Sequence, residues 1–337
     1  MSMGKLFNGA RHLLPVSERN SLEKGLYKMK AKREGKIPAL VSAWPKFNDA
    51  FCDGLEWKTI TVVGARPGVG KTLFMEQLVS DIIVKNPNQE FRVLKFQMEM
   101  VDETSAIRKF SLITGADYNT LMSKDGKLVD KRLFEKCVEY YNETANTDLI
   151  NVIYDNCTVN EMCSSVHHEL ERYKKSDDTY PNMLVTIDHS ALFKNDVGQK
   201  DKFEMLGALG EALTFMKKKY PVAFIVLSQL NRNIDDSKRQ IEGTYGNYVL
   251  DSDIYGSDAL LQHADVVIGI NKPSTRKLKK YGPDKFLIED PDTLVFHFLK
   301  SRNGLARVSF FKLDRTTMRI IEIQTPARET ITKIQVN

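Results

Sequence analysis

The sequence has little from which to build a disulfide framework or a zinc ribbon. Its four cysteines, Cys52, Cys137, Cys157 and Cys163, include no Cys-x-x-Cys pair. Cys163 and His167 fall four apart on a predicted helix, with His168 beside them and Cys157 upstream. A metal site there competes with the plainer reading of reduced thiols filling a core. No apolar run approaches the ~20 residues of a membrane span. The opening MSMGKLFNGARHLLPVSERN holds no apolar core of signal-peptide length. The expectation is a soluble cytoplasmic protein with no membrane partner, in the host cytoplasm if phage-encoded. Internal repeats and low-complexity tracts are also missing, which argues against a solenoid and against disorder. The net charge of +5 permits a polyanionic partner without requiring one.

What is present suits one large globular domain, since 42% of the 337 residues are hydrophobic. Residues 1–36 read as a separate basic segment, with 37–337 as the main domain. Within the first, Leu22, Leu26 and Met29 recur at helical spacing between Ser17 and Glu34. One stripe on a short helix has no core of its own, so it packs on its own domain or on a neighbouring subunit. From residue 37 onward apolar strands alternate with helical patterns. TITVVG (59–64), RVLKFQ (92–97), MLVTI (183–187), VAFIVL (222–227) and ADVVIGI (264–270) read as buried strands, and a further one begins at Asn151. Strands around 293–299, 308–313 and 319–323 close the chain. The fold class expected is α/β, a mainly parallel twisted sheet flanked by helices, with antiparallel strands at its C-terminal edge.

The segment Ala65-Arg66-Pro67-Gly68-Val69-Gly70-Lys71-Thr72 follows an apolar strand and opens a helix, the context of a phosphate-binding P-loop. Gly68 and Gly70 permit backbone angles that aim successive amides at phosphate oxygens, and the helix N-terminus adds its positive end. Lys71 neutralises phosphate charge, and the Thr72 hydroxyl helps to hold Mg²⁺. The usual first glycine is replaced by Ala65, with Gly64 one place early. A tight turn needing glycines would not explain the adjacent Lys-Thr. ATP and Mg²⁺ are therefore the expected ligands.

Hydrolysis needs a magnesium carboxylate and a base for water. Asp188 ends MLVTID and is placed to meet the metal; taken alone, a strand-end aspartate also serves as a helix cap. Glu99 ends RVLKFQME and is the candidate general base. Its neighbour Glu103 competes, but reads better as a first-turn helix residue. Gln229, after VAFIVLS, is a candidate sensor of the γ-phosphate.

In this order the motifs resemble the DnaB-like family of hexameric helicases. ARPGVGKT is similar to that family's Walker A, FQMEM (96–100) to the segment of its catalytic glutamate, and VTIDH (185–189) to its Walker B. LSQLNR (227–232) is similar to its sensor segment, SDIYGSDALLQHADVVIGI (252–270) to its fourth motif, and KSRNG (300–304) to the segment that reaches the next subunit's ATP. The resemblance runs from residue 37 to about 315. It implies a RecA-like P-loop NTPase assembling as a homo-hexamer with ATP at each interface. It also implies Lys300 and Arg302 as trans-acting groups, Arg302 being the arginine finger, with single-stranded DNA as partner and a primase or loader protein besides.

Two departures stand out. The family's large N-terminal domain has no counterpart here, and the basic helix at 17–34 is placed like the family's linker helix. The DNA-facing loop reads Asp253-Ile-Tyr-Gly-Ser-Asp258, with Tyr255 where the family commonly has arginine. The stretch 233–251 offers compensation: Lys238, Arg239, Tyr245 and Tyr248 interleave basic and aromatic groups, as single strands require. With Arg232 before them and Tyr255 after, these are the candidate DNA contacts; a solvated flexible loop is the bland alternative. The run 276–280 (RKLKK) reads as a surface hairpin or insertion. Three functions follow: an ATP-driven helicase moving 5′ to 3′ in DNA replication, a RecA-like DNA-binding ATPase acting as loader or recombination accessory, or a ring-forming regulatory ATPase without nucleic acid.

Overall fold

The computed structural model describes residues 16–36, 39–124, 129–145, 147–196, 199, 201–302, 304, 307–315 and 317–328. The chain divides into two compact units, Met1–Ala39 and Leu40–Asn337. In the first, helix α1 (Glu18–Arg33) begins where the Ser17 hydroxyl accepts the Asn20 amide at 3.2 Å. Its predicted stripe of Leu22, Leu26 and Met29 is exposed.

The second unit follows the chain as α2 (Pro45–Ala50), β1 (Ile60–Ala65), α3 (Lys71–Lys85), β2 (Arg92–Gln97), α4 (Asp102–Thr114), α5 (Tyr118–Leu121), α6 (Lys131–Ala145) and β3 (Ile150–Ile153). It continues as α7 (Val159–Arg172), β4 (Met183–Asp188), α8 (Lys202–Lys219), β5 (Val222–Gln229), α9 (Ser257–Leu261) and β6 (Val266–Asn271). The closing strands are β7 (Lys280–Tyr281), β8 (Phe286–Leu287), β9 (Thr293–Ser301), β10 (Val308–Asp314) and β11 (Arg319–Glu322). Among the described residues nine strands form one sheet in the order β11-β10-β9-β6-β1-β5-β4-β2-β3. The six from β6 to β3 are parallel, and β9, β10 and β11 are added antiparallel. The fold class expected from the sequence is therefore present, including the antiparallel edge.

The near-continuous apolar strands are covered on both faces, as parallel sheets must be. Val185 and Ile187 of β4 join Phe224 and Val226 of β5 in a core closed by α7 and α8. Leu184, Ile225 and Leu227 face the other way, onto Phe74 and Leu78 of α3 and Phe47 of α2. There Trp44 stacks on Phe74 at 5.4 Å between ring centres and donates its indole N–H to the Ile320 carbonyl at 2.9 Å. Gln77 of α3 bonds both backbone groups of Ile320, at 2.7 and 2.9 Å, and so pairs the free side of edge strand β11. A capping box starts α7: Glu161 N donates to the Thr158 hydroxyl at 3.2 Å, and Thr158 N donates to the Glu161 carboxylate at 2.7 Å.

Two sequence expectations change. Gly64 is not a displaced P-loop glycine but lies inside β1. A Cβ there would sit 2.9 Å from Leu230 and 3.1 Å from Ile254, so close packing demands the glycine. The run 276–280, read as a surface hairpin or insertion, does enter the hairpin of β7 and β8 at Lys280, but only part of it is exposed. Leu278 is buried, and the Arg276 guanidinium is folded inward onto Asn271 and the Ile234 carbonyl, leaving Lys277 and Lys279 outside.

Candidate active site

Strand register brings the candidate groups to one edge. Ala65 pairs with Gln229, Gln97 pairs with Asp188 and Ile187 pairs with Val226, so β4 and β2 end two residues short of β1 and β5 at the same sheet edge. The chain between Ala65 and Lys71 turns through Gly68 at φ 77° and Gly70 at φ 106°, and Gly70 caps α3. Both angles are strained for residues with a side chain. The amides at the start of α3 have no side-chain cap and are open to an anion.

Lys71 is buried at the first position of α3. The Thr72 hydroxyl donates to Asp188 Oδ2 at 2.9 Å, and Asp188 Oδ1 is buried without a partner among the described residues. Burial raises the Asp188 carboxyl above its ordinary range, while the Lys71 charge and the Thr72 hydroxyl oppose the rise and the Glu99 charge adds to it. A buried carboxylate oxygen lacking a partner beside a threonine hydroxyl and a lysine suits a divalent cation accompanied by phosphate. Glu99 is exposed two residues past the end of β2. Glu103 lies in the first turn of α4, as its competing reading held.

His189 was not singled out by sequence. Its Nδ1 accepts the Ala191 amide at 3.3 Å, and its Nε2 lies 3.3 Å from Gln229. Burial, reinforced by Lys71, pushes its pKa down to about 4, so the ring is neutral at neutral pH. A neutral ring accepting at Nδ1 carries its proton on Nε2, the atom that faces the Gln229 side-chain amide.

A second group missed by sequence lies behind the loop. Glu76 of α3 pairs with Lys95 of β2, and its second oxygen lies 3.5 Å from Lys109 of α4. Gln97 donates to Glu76 at 2.6 Å and accepts from Ser105 at 2.6 Å. Burial alone would raise the Glu76 carboxyl, but the ammonium groups of Lys95 and Lys109 hold it below its ordinary value of 4.5. The network ties the helix of Thr72 to the strand leading to Glu99. The signal was a lysine in an otherwise apolar covered strand. Glu76→Leu is expected to lower stability by roughly 3–5 kcal/mol, because two buried cations lose their counter-charge. A denaturant titration reads the loss, and adding Lys95→Met should recover part of it. Because the native carboxyl is depressed, its contribution is present above the unfolded pKa and fades as pH falls through the lowered one.

Lys300 and Arg302 lie at the other end of the sheet. Lys300 pairs with Val267 and Ser301 with Val266, level with Thr61 at the start of β1. Lys300 donates to the Leu261 carbonyl at 2.8 Å, and Arg302 lies 3.3 Å from Asp265. Asp265 is anchored by the Ile60 amide at 2.8 Å and by Lys217 at 2.5 Å. Asn303 lies outside the described residues.

The candidate DNA residues divide. Arg232, Lys238 and Tyr245 are exposed, and Tyr255 is partly so. Arg239 and Tyr248 are engaged inside the fold. The Arg239 guanidinium is used up inside the loop, on Asp253 at 2.9 Å and on the Gly246 and Tyr248 carbonyls at 3.1 and 2.8 Å. Tyr248 packs on His297 and Tyr281, at 4.7 and 5.3 Å between ring centres. Buried charge pairing and ring packing hold a loop that the sequence left open to being flexible.

Among the described residues no three His, Cys, Asp or Glu side chains are grouped to hold a metal ion. His167, in the suggested cysteine–histidine cluster, bonds Tyr220 at 3.0 Å. No helix among them is long and apolar enough to cross a membrane.

A family profile described as DnaB-like helicase C terminal domain matches residues 42–322. The replicative DNA helicase DnaB of Helicobacter pylori is 26% identical over 222 residues, 65% of this chain and 41% of that protein. The chain thus spans about two-fifths of that relative's length. Among solved structures, a separately solved ATPase domain superposes with a TM-score of 0.75 at 16% identity, covering 92% of this chain and 100% of that one. A DnaB-like replicative helicase, described together with its interactions with primase, gives 0.74 at 17% identity, covering 96% and 70%. At these identities the structural likenesses speak for the fold.

Proposed function

The chain belongs to the family of DnaB-like helicase C-terminal domains, and from that premise we propose that it is an ATP-driven motor that moves 5′ to 3′ on single-stranded DNA and unwinds duplex during replication. The observation that carries the reading is the meeting of Thr72, Asp188, His189 and Gln229 at one sheet edge, while Arg302 lies at the other. Mg²⁺, when bound with ATP, neutralises charge on the phosphates. The loop 65–72 cradles the phosphates, with Lys71 pairing their oxygens. Asp188 and Thr72 would hold the ion. Glu99 orients and deprotonates the attacking water, and Gln229, steadied by His189, registers the γ-phosphate. Lys300 and Arg302 complete the pocket of a neighbouring copy in a homo-hexamer.

Residues 1–36 form the linker segment and 37–337 the motor. Two exposed faces support assembly. Leu22, Leu26 and Met29 lie exposed on α1, and Phe134, Val138 and Tyr141 lie exposed on α6. Both triplets have the i, i+4, i+7 spacing of one helix face, so α1 of one copy suits α6 of the next. A primase or a loading protein is the further partner, and the cytoplasm the place of work.

The test is strand displacement on a fork with a free 5′ tail, with ATP turnover measured beside it. Single-stranded DNA is expected to raise turnover and the fork to open. Stimulated turnover without opening would favour the loader or recombination reading, which Tyr255 at the DNA-facing loop feeds. The DNA contacts have their own signature: Arg232→Ala and Lys238→Ala should each lower the slope of log affinity against log salt by about one. Arg239→Ala should instead loosen the loop it braces, detected as faster proteolysis between residues 231 and 254.

A further inference from the structure

We propose that Asp235 is a positioning residue through which the phosphate loop sets the shape of segment 231–254. The segment is a closed excursion from the sheet. Its ends meet where Leu230 pairs with Ile254, and the Tyr255 amide donates to the Gln229 carbonyl at 2.8 Å. Asp235 lies near its start between two guanidinium groups. Arg66 of the phosphate loop reaches it at 2.9 Å through Nε and also donates to the Leu230 carbonyl at 3.0 Å. Arg276 approaches its other oxygen at 3.6 Å and donates to the Ile234 carbonyl at 3.0 Å.

The two cations are not equivalent. Arg276 is buried and anchored on Asn271, the last residue of β6. Arg66 is more exposed and belongs to the loop that cradles phosphate. A cavity of about 510 Å³ beside them, lined by Arg66, Val69, Asp235, Gln240, Arg276 and Lys277, leaves room for movement. With nucleotide phosphates over Gly68–Lys71, Arg66 has a competing anion, and Asp235 falls to Arg276 alone. The shift is carried outward because the segment is internally tied. Gln240 donates to the Asp235 carbonyl at 2.7 Å, the Lys238 amide donates to Asp236 at 2.9 Å, and Arg239 clamps Gly246, Tyr248 and Asp253. Lys238 and Tyr245, both exposed, ride on that unit. This route differs from the contact of Gln229 with His189. It rests on the reading that the loop 65–72 binds nucleotide, and it does not depend on what the segment touches.

Hydrogen–deuterium exchange of the full chain, with and without Mg²⁺ and AMP-PNP, tests it. In the parent protein, nucleotide should slow exchange at 65–72 and change exchange across 231–254 by at least ~5-fold, the lower bound of a typical coupling between sites. In Asp235→Asn the phosphate loop should respond as in the parent, while the change across 231–254 falls below ~2-fold. Asp235→Glu should restore it. An equal response in parent and Asp235→Asn overturns the proposal, marking the contact as an ordinary surface ion pair. So does a parent in which 65–72 responds and 231–254 does not. A parent in which neither region responds removes the nucleotide reading itself and the proposal with it.

Discussion

Arg302→Ala is expected to cut ATP turnover by about 10³- to 10⁵-fold while leaving nucleotide affinity nearly unchanged. The magnitude is that of a guanidinium arriving across an interface to stabilise transition-state charge. The geometry supports a trans role and opposes a cis one. Arg302 follows Ser301, which pairs with Val266 and so lies level with Thr61. From Thr61 to Ala65, β1 rises about 13 Å at roughly 3.3 Å per residue, and the phosphate loop lies beyond. Arg302 therefore lies a strand's length from its own Lys71. In the single chain it faces Asp265 at 3.3 Å, an ion pair that must open before it serves a neighbour. Mixing makes the result specific. Arg302→Ala and Lys71→Ala subunits should each be inactive alone and regain turnover together, because an intact loop then faces an intact arginine. Turnover by Arg302→Ala at the parent's rate, or no recovery at any mixing ratio, would remove the trans assignment.

Glu99→Gln is expected to slow turnover by about 10²- to 10⁴-fold, the usual contribution of a positioned general base, with nucleotide still bound. Shape is conserved and only the proton-accepting charge is lost. The charge also acts on its neighbours. Glu99 helps to raise the Asp188 carboxyl, so its removal should leave Asp188 more readily ionised and Mg²⁺ no weaker. Single-turnover hydrolysis with pre-bound nucleotide separates the chemical step from binding. Glu103→Gln is the control, because Glu103 lies exposed in the first turn of α4. A large loss at Glu103 with little at Glu99 would exchange the two roles.

The parallel strands and the P-loop were legible because their signals are local. A run such as MLVTID states its own burial, and glycines before Lys-Thr state their own backbone. Residues whose role depends on a distant partner were not legible. Gly64 looked like a misplaced loop glycine until Leu230 and Ile254 were seen against it. Arg239 and Tyr248 had a composition suited to nucleic acid, but Asp253 and His297 claim them inside the fold. Lys95 and Glu76 are 19 residues apart and meet only because α3 packs beside β2. Their buried charges broke the apolar pattern visibly, yet nothing local named the partner. Asp235 is the same kind of case, an unremarked aspartate given meaning by two arginines from other parts of the chain.

The opposed placement of Lys71 and Arg302 limits how copies can be arranged. A two-fold dimer would finish its pockets only if a single patch carried both the phosphate loop and Arg302, which lie at opposite edges of the sheet. Under the proposed trans role of Arg302, a heterologous, head-to-tail contact brings each loop a cation from the opposite edge of the next copy. Repeated, such a contact closes if its rotation divides a full circle and otherwise winds into a filament. On that reading the handedness and pitch of the assembly rest on one interface angle, and a substitution that tilts it by a few degrees would change how many working pockets exist rather than how well each one works.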